Sequence, residues 1–248
     1  MLGQALEGWA LEGPRGVSYH ELPFPGIPLI LNLGSPWLVE GANLDSFLAG
    51  LHTRPTRVTG ERTFSCLELR LTPLGARRLL GLPLHELVNG SYALEELLPG
   101  VGRLSARVRE TQAWDERFDL LEAFLTDRLA DTPTAPPELD WAWRQLVHSG
   151  GRVRVRTLAA DLGWSPRRLI ERFRDHVGLP PKTAARVIRL DRAVSALRSG
   201  GPRIAEVAAA CGYADQAHLG RELRALGGIT PGQLVGGNFV QDDAAATA

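Results

Sequence analysis

Two periods divide this 248-residue chain. Through residues 8–72 apolar and polar positions alternate in short runs: VSYHELP (17–23), IPLILNL (27–33), PWLVEG (36–41), TRVTG (56–60) and TFSCLELRLTP (63–73). Alternation of that kind predicts strands, and the intervening PG, GSP and TG read as turns. In the last run Phe64, Cys66, Leu67, Leu69 and Leu71 are apolar or small. From 74 to 130 the spacing becomes three and four, in LGARRLLG, LHELVNG, ALEELLPGVGRLSARVRE and AWDERFDLLEAFLTDRLA. That period predicts helices. Trp114, Phe118, Leu121, Leu125 and Leu129 make one stripe, which is either the core of its own domain or a dimer seam.

The stretch DTPTAPPELD (131–140) has three prolines and no helical period, and it reads as a linker. Beyond it the helical period returns, now with a repeat. Residues 159–181 can be laid over 208–231. Ala159 matches Ala208, Gly163 matches Gly212, Ser165 matches Asp215, Leu169 matches Leu219 and Phe173 matches Leu223. Gly178–Pro181 (GLPP) matches Gly228–Pro231 (GITP). The offset is 49 before the turn and 50 after it, so the second turn is one residue longer.

Each copy has the layout of helix–turn–helix. Gly163 and Gly212 can take the left-handed backbone that stops a helix. Ser165 and Asp215 can cap the next one, and Pro166 suits a first helical position. Leu169, Phe173 and Val177 then form one buried stripe, and Leu219, Leu223 and Leu226 the other. Ala159 and Ala208 stand where the paired helices cross closely. Between the units, 181–199 reads as one linking helix, from Pro181 to a stop at Gly200, with Val187, Leu190, Val194 and Leu197 on its apolar face. In RVRVR (152–156), Val153 and Val155 are packing residues ahead of a helix, not a strand.

Charge sharpens the division. Residues 141–248 hold 16 Lys+Arg against 9 Asp+Glu, net +7, whereas 1–140 hold 12 against 19, net −7. A basic half in a neutral chain suggests a polyanionic partner. A helix presented by such a turn can enter the major groove N-terminal end first. There Gln can pair with adenine and Arg with guanine, and the helix terminus favours phosphate.

Residues 150–236 resemble the DNA-binding domain of the AraC family of bacterial transcription regulators. The likeness rests on the tandem units, on Arg189–Leu190–Asp191–Arg192–Ala193 in the linking helix, on IAEVAAACGYADQAHL (204–219) and on the closing G-x-T-P at 228–231. It implies that both recognition helices read successive major-groove segments on one face of the duplex. By position the readers are Arg167, Ile170 and Glu171 in the first helix, and Gln216, Ala217, Gly220 and Arg221 in the second. Arg168, His218 and Arg224 adjoin them as candidate DNA contacts. The family often has Arg where Glu171 stands. A carboxylate can accept from cytosine N4 but repels phosphate, so the first helix either reads different bases or contributes less. Leu219 and Leu223 stand where the family usually has aromatic residues.

The implied fold is α+β in two domains. A β-rich barrel or sandwich followed by helices occupies 1–130, resembling the family's sensor half. After the linker at 131–140 comes an all-α tandem helix-turn-helix domain over 141–238, with units at 155–177 and 204–226. Double-stranded DNA is the expected partner. A small-molecule effector, RNA polymerase and a second copy of the chain remain open as further partners. Arg172, Arg174 and Arg224 are either phosphate contacts or solvated surface. His218 is either a phosphate contact or a partly buried structural residue. Arg186, Arg189, Arg192 and Arg198 read as a solvated face.

Other chemistry is thinly supported. His20, His52 and His85 are scattered, with no H-x-H or H-x-x-E spacing, so no metal site is expected. No G-x-S-x-G elbow or P-loop occurs, and neither a catalytic residue nor a cofactor is expected. The alternative is a DNA-binding module fused to an enzymatic first half, for which Cys66 is the sole cysteine nucleophile. Cys66 and Cys211 read as buried thiols without a disulfide. Composition, 44% apolar and 23% charged, suits a soluble globular protein. No apolar run spans a bilayer, and MLGQALEGWALEGPRG lacks the form of a signal peptide, so a cytoplasmic location is expected.

Overall fold

A computed structural model of the chain describes residues 3–12, 17–60, 63–199 and 203–235. Among the described residues the first half holds nine strands: β1 (Gly3–Glu12), β2 (Val17–Glu21), β3 (Ile27–Asn32), β4 (Trp37–Val39), β5 (Ala42–Leu44), β6 (Phe47–Ala49), β7 (Thr56–Gly60), β8 (Thr63–Leu71) and β9 (Ser91–Ala93). They form two antiparallel sheets, ordered β1-β8-β3-β6-β9 and β2-β7-β4-β5. Trp37, Val39 and Val58 of the smaller sheet meet Ile30, Phe47 and Cys66 of the larger, which gives the core of a sandwich.

The larger sheet is covered on both faces. Ile27, Leu29 and Leu31 of β3 and Leu67, Leu69 and Leu71 of β8 point the other way, into a core shared with helices. Those helices are α1 (Pro73–Leu80), α2 (Leu94–Leu97), α3 (Val101–Glu110) and α4 (Trp114–Leu129), with a 3-10 turn at Leu84–Glu86. Thr72 caps α1 by accepting from the amide of Gly75 at 3.0 Å, and Gly81 ends it at φ 72°. The stripe on α4 is core: Leu121 and Leu125 are buried, and Phe118 and Leu129 pack against the same cluster. Leu120 and Phe124, on a neighbouring face, line a groove with α3. Cys66 is wholly buried, so the one thiol offered as a nucleophile has no access to solvent.

The second half is helical: α5 (Pro137–His148), α6 (Val155–Asp161), α7 (Pro166–Val177), α8 (Pro181–Arg198), α9 (Ile204–Ala210), α10 (Gln216–Gly227) and α11 (Pro231–Val235). The stretch 131–140 is not wholly irregular, since α5 begins at Pro137. Proline there occupies a first helical turn, where its missing N–H costs nothing. Gly200 and residues 236–238 lie outside the described residues. Among the described residues no helix is long and apolar enough to cross a membrane.

The halves are tightly joined. The first large core cluster runs from β3 through α1–α4 to α5, α6, α7 and the start of α8. A second cluster holds α9, α10, α11 and the rest of α8, with Leu22 from the β-rich half inside it. Arg77 of α1 lies 3.6 Å from Asp175 of α7. A Cβ on Gly178 would come 3.1 Å from the carbonyl oxygen of Leu84, so a side chain there would push the halves apart.

Asp191 of α8 sits in the same joint. Burial pushes its carboxyl up from 3.8 to about 6, against the smaller opposing pull of Arg70 from β8 and of Arg198. A raised carboxyl contributes stability that is present below pH 4 and lost as pH rises through 6. Asp191→Asn therefore raises the melting temperature relative to the parent at pH 8 and changes little at pH 4. The difference between the two pH values should be on the order of 1–3 kcal/mol. Thermal denaturation at both pH values checks this, and a variant less stable than the parent at pH 8 refutes it.

Candidate nucleic-acid interface

The two repeats fold alike down to single hydrogen bonds. At the end of α6 the amide of Gly163 donates to Ala160 (3.0 Å) and that of Trp164 to Ala159 (2.8 Å). At the end of α9 the amide of Gly212 donates to Ala209 (3.1 Å) and that of Tyr213 to Ala208 (2.9 Å). Gly163 and Gly212 have φ of 64° and 79°. This is the left-handed stop that hands helix carbonyls to the next amides. Ser165 then accepts from the amide of Arg168 (3.2 Å) and Asp215 from that of His218 (2.6 Å), each capping its recognition helix. The turns span 162–165 and 211–215, so the second carries the extra residue.

Each recognition helix buries its stripe. Leu169, Phe173 and Val177 are fully covered on α7, as are Leu219 and Leu223 on α10, with Leu226 nearly so. Ala159 and Ala208 are buried at the helix crossings. Trp143 of α5 meets Phe173 with ring centroids 6.3 Å apart. The other face of each helix is open. Arg167, Arg168, Ile170 and Glu171 are exposed on α7, and Gln216, Ala217, Arg221 and Arg224 on α10.

Three expected roles change in the structure. Gly220 is buried, with the Arg224 guanidinium nearest the place a Cβ would take, so its own atoms do not reach the open face. Glu171 is not a lone carboxylate, since it accepts from Nε of Arg167 at 2.8 Å. Arg186 and Arg189 of α8 are not part of a solvated face, whereas Arg192 is exposed. Arg186 makes two hydrogen bonds to Glu222 of α10, each 3.0 Å, tying the linking helix to the second recognition helix. Arg189 donates to the carbonyl of Gly151 (3.0 Å) and lies over the Tyr213 ring, and Arg192 crowds Gly150.

The contact of Arg168 gave no signal in the sequence, whereas His218 takes the partly buried structural role that was one of its two readings. Arg168 lies over the Trp164 ring, 4.6 Å from its centroid, which restrains a guanidinium beside the first turn of α7. His218 is half-buried, edge-on to Tyr213 at 5.2 Å, and its Nδ1 accepts from the amide of Ala214 at 3.3 Å. The histidine therefore braces the turn. Asp215 caps from the same turn, so two side chains hold the entry to α10.

These features place the chain among known proteins. Residues 158–236 match the family model of a helix-turn-helix domain. Over nearly its whole length the chain is similar in fold to ToxT from Vibrio cholerae. One ToxT structure has 12% identity and a TM-score of 0.53, covering 94% of this chain and 98% of that one. An unsaturated fatty acid bound wild-type ToxT has 10% identity and a TM-score of 0.51, covering 93% and 94%. A transcriptional regulator with an AraC-type DNA-binding domain, from Chromobacterium violaceum, has 25% identity and a TM-score of 0.38 over 40% of this chain and 90% of that one. No curated protein matches the chain. Residues 158–236 thus match a helix-turn-helix domain, and the chain has a two-domain fold like that of ToxT.

Of the two stop glycines, Gly163 offers a test free of side-chain clashes, since a Cβ on Gly212 would come 2.9 Å from Arg152. A Cβ at Gly163 would meet nothing within 4 Å. Gly163→Ala should therefore cost only the left-handed backbone penalty, about 1–2 kcal/mol. Urea denaturation measures it, and a markedly larger loss would show that something besides backbone conformation requires glycine there.

Proposed function

We propose that the chain is a sequence-specific DNA-binding transcription regulator whose β-rich half responds to a small, largely apolar effector. The observation that carries the DNA-binding part is the repeated capped turn. It leaves the first turns of two helices open, with Arg167 and Arg168 on one and Gln216 and Arg221 on the other. Guanidinium and amide groups in that setting match base edges in a major groove, while capped helix N-termini and flanking arginines suit phosphate. Arg224, exposed over Gly220, fits a backbone contact better than a base contact.

Arg221→Ala should weaken binding to the selected site by about 1–3 kcal/mol and relax the base preference at one position. Site selection from random DNA, followed by titration of the winning sequence at fixed salt, checks both. An equal loss on unrelated DNA would make Arg221 a phosphate anchor.

The effector part rests on a cavity of about 20 Å³ between the two sheets, lined by Leu22, Phe24, Val39, Phe47, His52 and Val58 among others. Room for one water means that an effector must displace its walls. Leu22 is one of those walls and also packs among Leu190, Leu219 and Leu223. A Cβ on Gly227 of α10 would lie 3.2 Å from its Cδ2. Moving Leu22 would therefore press on the second recognition helix. Burial, the largest cause, lowers His52 from 6.5 to about 4, which keeps it neutral near pH 7 and able to bond an uncharged polar group.

ToxT holds an unsaturated fatty acid, which makes such a molecule the first probe. It should raise the melting temperature and change the affinity for the selected site. In Leu22→Ala the thermal shift should persist while the change in affinity shrinks. Absence of any thermal shift across apolar carboxylic acids, alcohols and esters would leave the DNA-binding part standing and remove the effector part.

A further inference from the structure

The centre of the open face of α7 is occupied by an ion pair. At 100° per residue, Arg167 and Glu171 lie opposite the stripe of Leu169, Phe173 and Val177. Their side chains are 89% and 61% exposed, so neither is there to fill a core. Of the two carboxylate oxygens Oε1 takes the Nε–H of Arg167 at 2.8 Å. A guanidinium has five donors in a rigid plane. With Nε held, the two Nη groups at its far end remain a forked pair. That fork matches the O6 and N7 acceptors of guanine.

We propose that Glu171 is a positioning residue: it aims Arg167, through which the first helix selects a guanine, and it reads no base itself. The inference rests on the DNA-reading function proposed above and gives that function one base of its target. Three physical points carry it. The pair is neutral as a unit, so the repulsion that a lone carboxylate would feel from phosphate is offset within the site. The long arginine side chain is already restrained, so less freedom is lost on binding. An exposed pair one helical turn apart adds little to folding, so fold stability gives little reason for its place at the centre of the face. Ile170, 38% exposed, is the next residue but two from Arg167 and flanks it on the same side of the helix. An apolar group there fits the C5-methyl of a thymine close to that guanine.

Full-length protein and site selection test the proposal, with titration of single-base variants of the winning site. Arg167→Ala should lose the guanine preference at one position, roughly 5- to 150-fold in discrimination, and keep the bases read by α10. Glu171→Ala should weaken discrimination at that same position by about two- to fivefold and select no new base. Glu171→Gln is the decisive variant. Its amide oxygen can still accept from Nε of Arg167, so the guanine preference should largely return.

A direct reader would behave otherwise. If Glu171 bonded cytosine N4, the glutamine would convert a cytosine preference into an adenine preference at a position that Arg167→Ala leaves intact, and that result overturns the proposal. Equal losses on all sequences in both alanine variants would also overturn it, making the pair a backbone anchor. A motif containing only bases sensitive to Arg221→Ala sinks this inference alone. Selection that yields no motif removes the DNA-reading function and this inference with it.

Discussion

In each repeat the chain leaves one helix and enters the next within four or five residues through a glycine in a left-handed backbone, Gly163 in the first and Gly212 in the second, and the rest of the second half depends on it. The reversal brings Ala159 and Ala208 against the following helix, where only a small side chain fits. It also turns the N-terminal ends of α7 and α10 outward, so their first amides must be met by Ser165 and Asp215 instead of by a preceding turn. The surface offered to a partner is thus fixed by backbone geometry first. Side chains such as Arg168 on Trp164 and His218 on Tyr213 refine it afterwards.

That constraint is local, which is why the helix-turn-helix units could be read from the sequence and much of the β-rich half could not. Stop glycine, cap and stripe all fall within a dozen residues. The strands β5, β6 and β9 are three residues each, too short for a period to show. β9 forms in a stretch read as helical because Ala93 and Ser91 pair with Phe47 and Ala49, more than forty residues away. β1, over Gly3–Glu12, likewise depends on the distant β8. β3 is buried on both faces, so its sequence does not say which side meets the helices.

The site shows the same split. That Gln216, Arg221 and the exposed face of α7 point outward follows from the position of the stripes. What long side chains do once there does not. Arg186 and Arg189 look like solvated surface in a helical projection, yet they bond Glu222 and Gly151, thirty-six and thirty-eight positions away. Glu171 looks like a charge in the wrong place until Arg167 is seen on it.

The division of the cores has its own consequence. The first unit, α6 and α7, shares one continuous cluster with the sheets, while α9 and α10 keep a smaller cluster that, among the described residues of the β-rich half, Leu22 alone enters. Local opening respects such boundaries. Unravelling α10 uncovers only the smaller cluster, whereas α7 cannot come loose without breaching the interior of the β-rich half. The duplicated units are therefore mechanically unequal. One is a fixed jaw built into the body of the protein, and the other is a jaw that can yield.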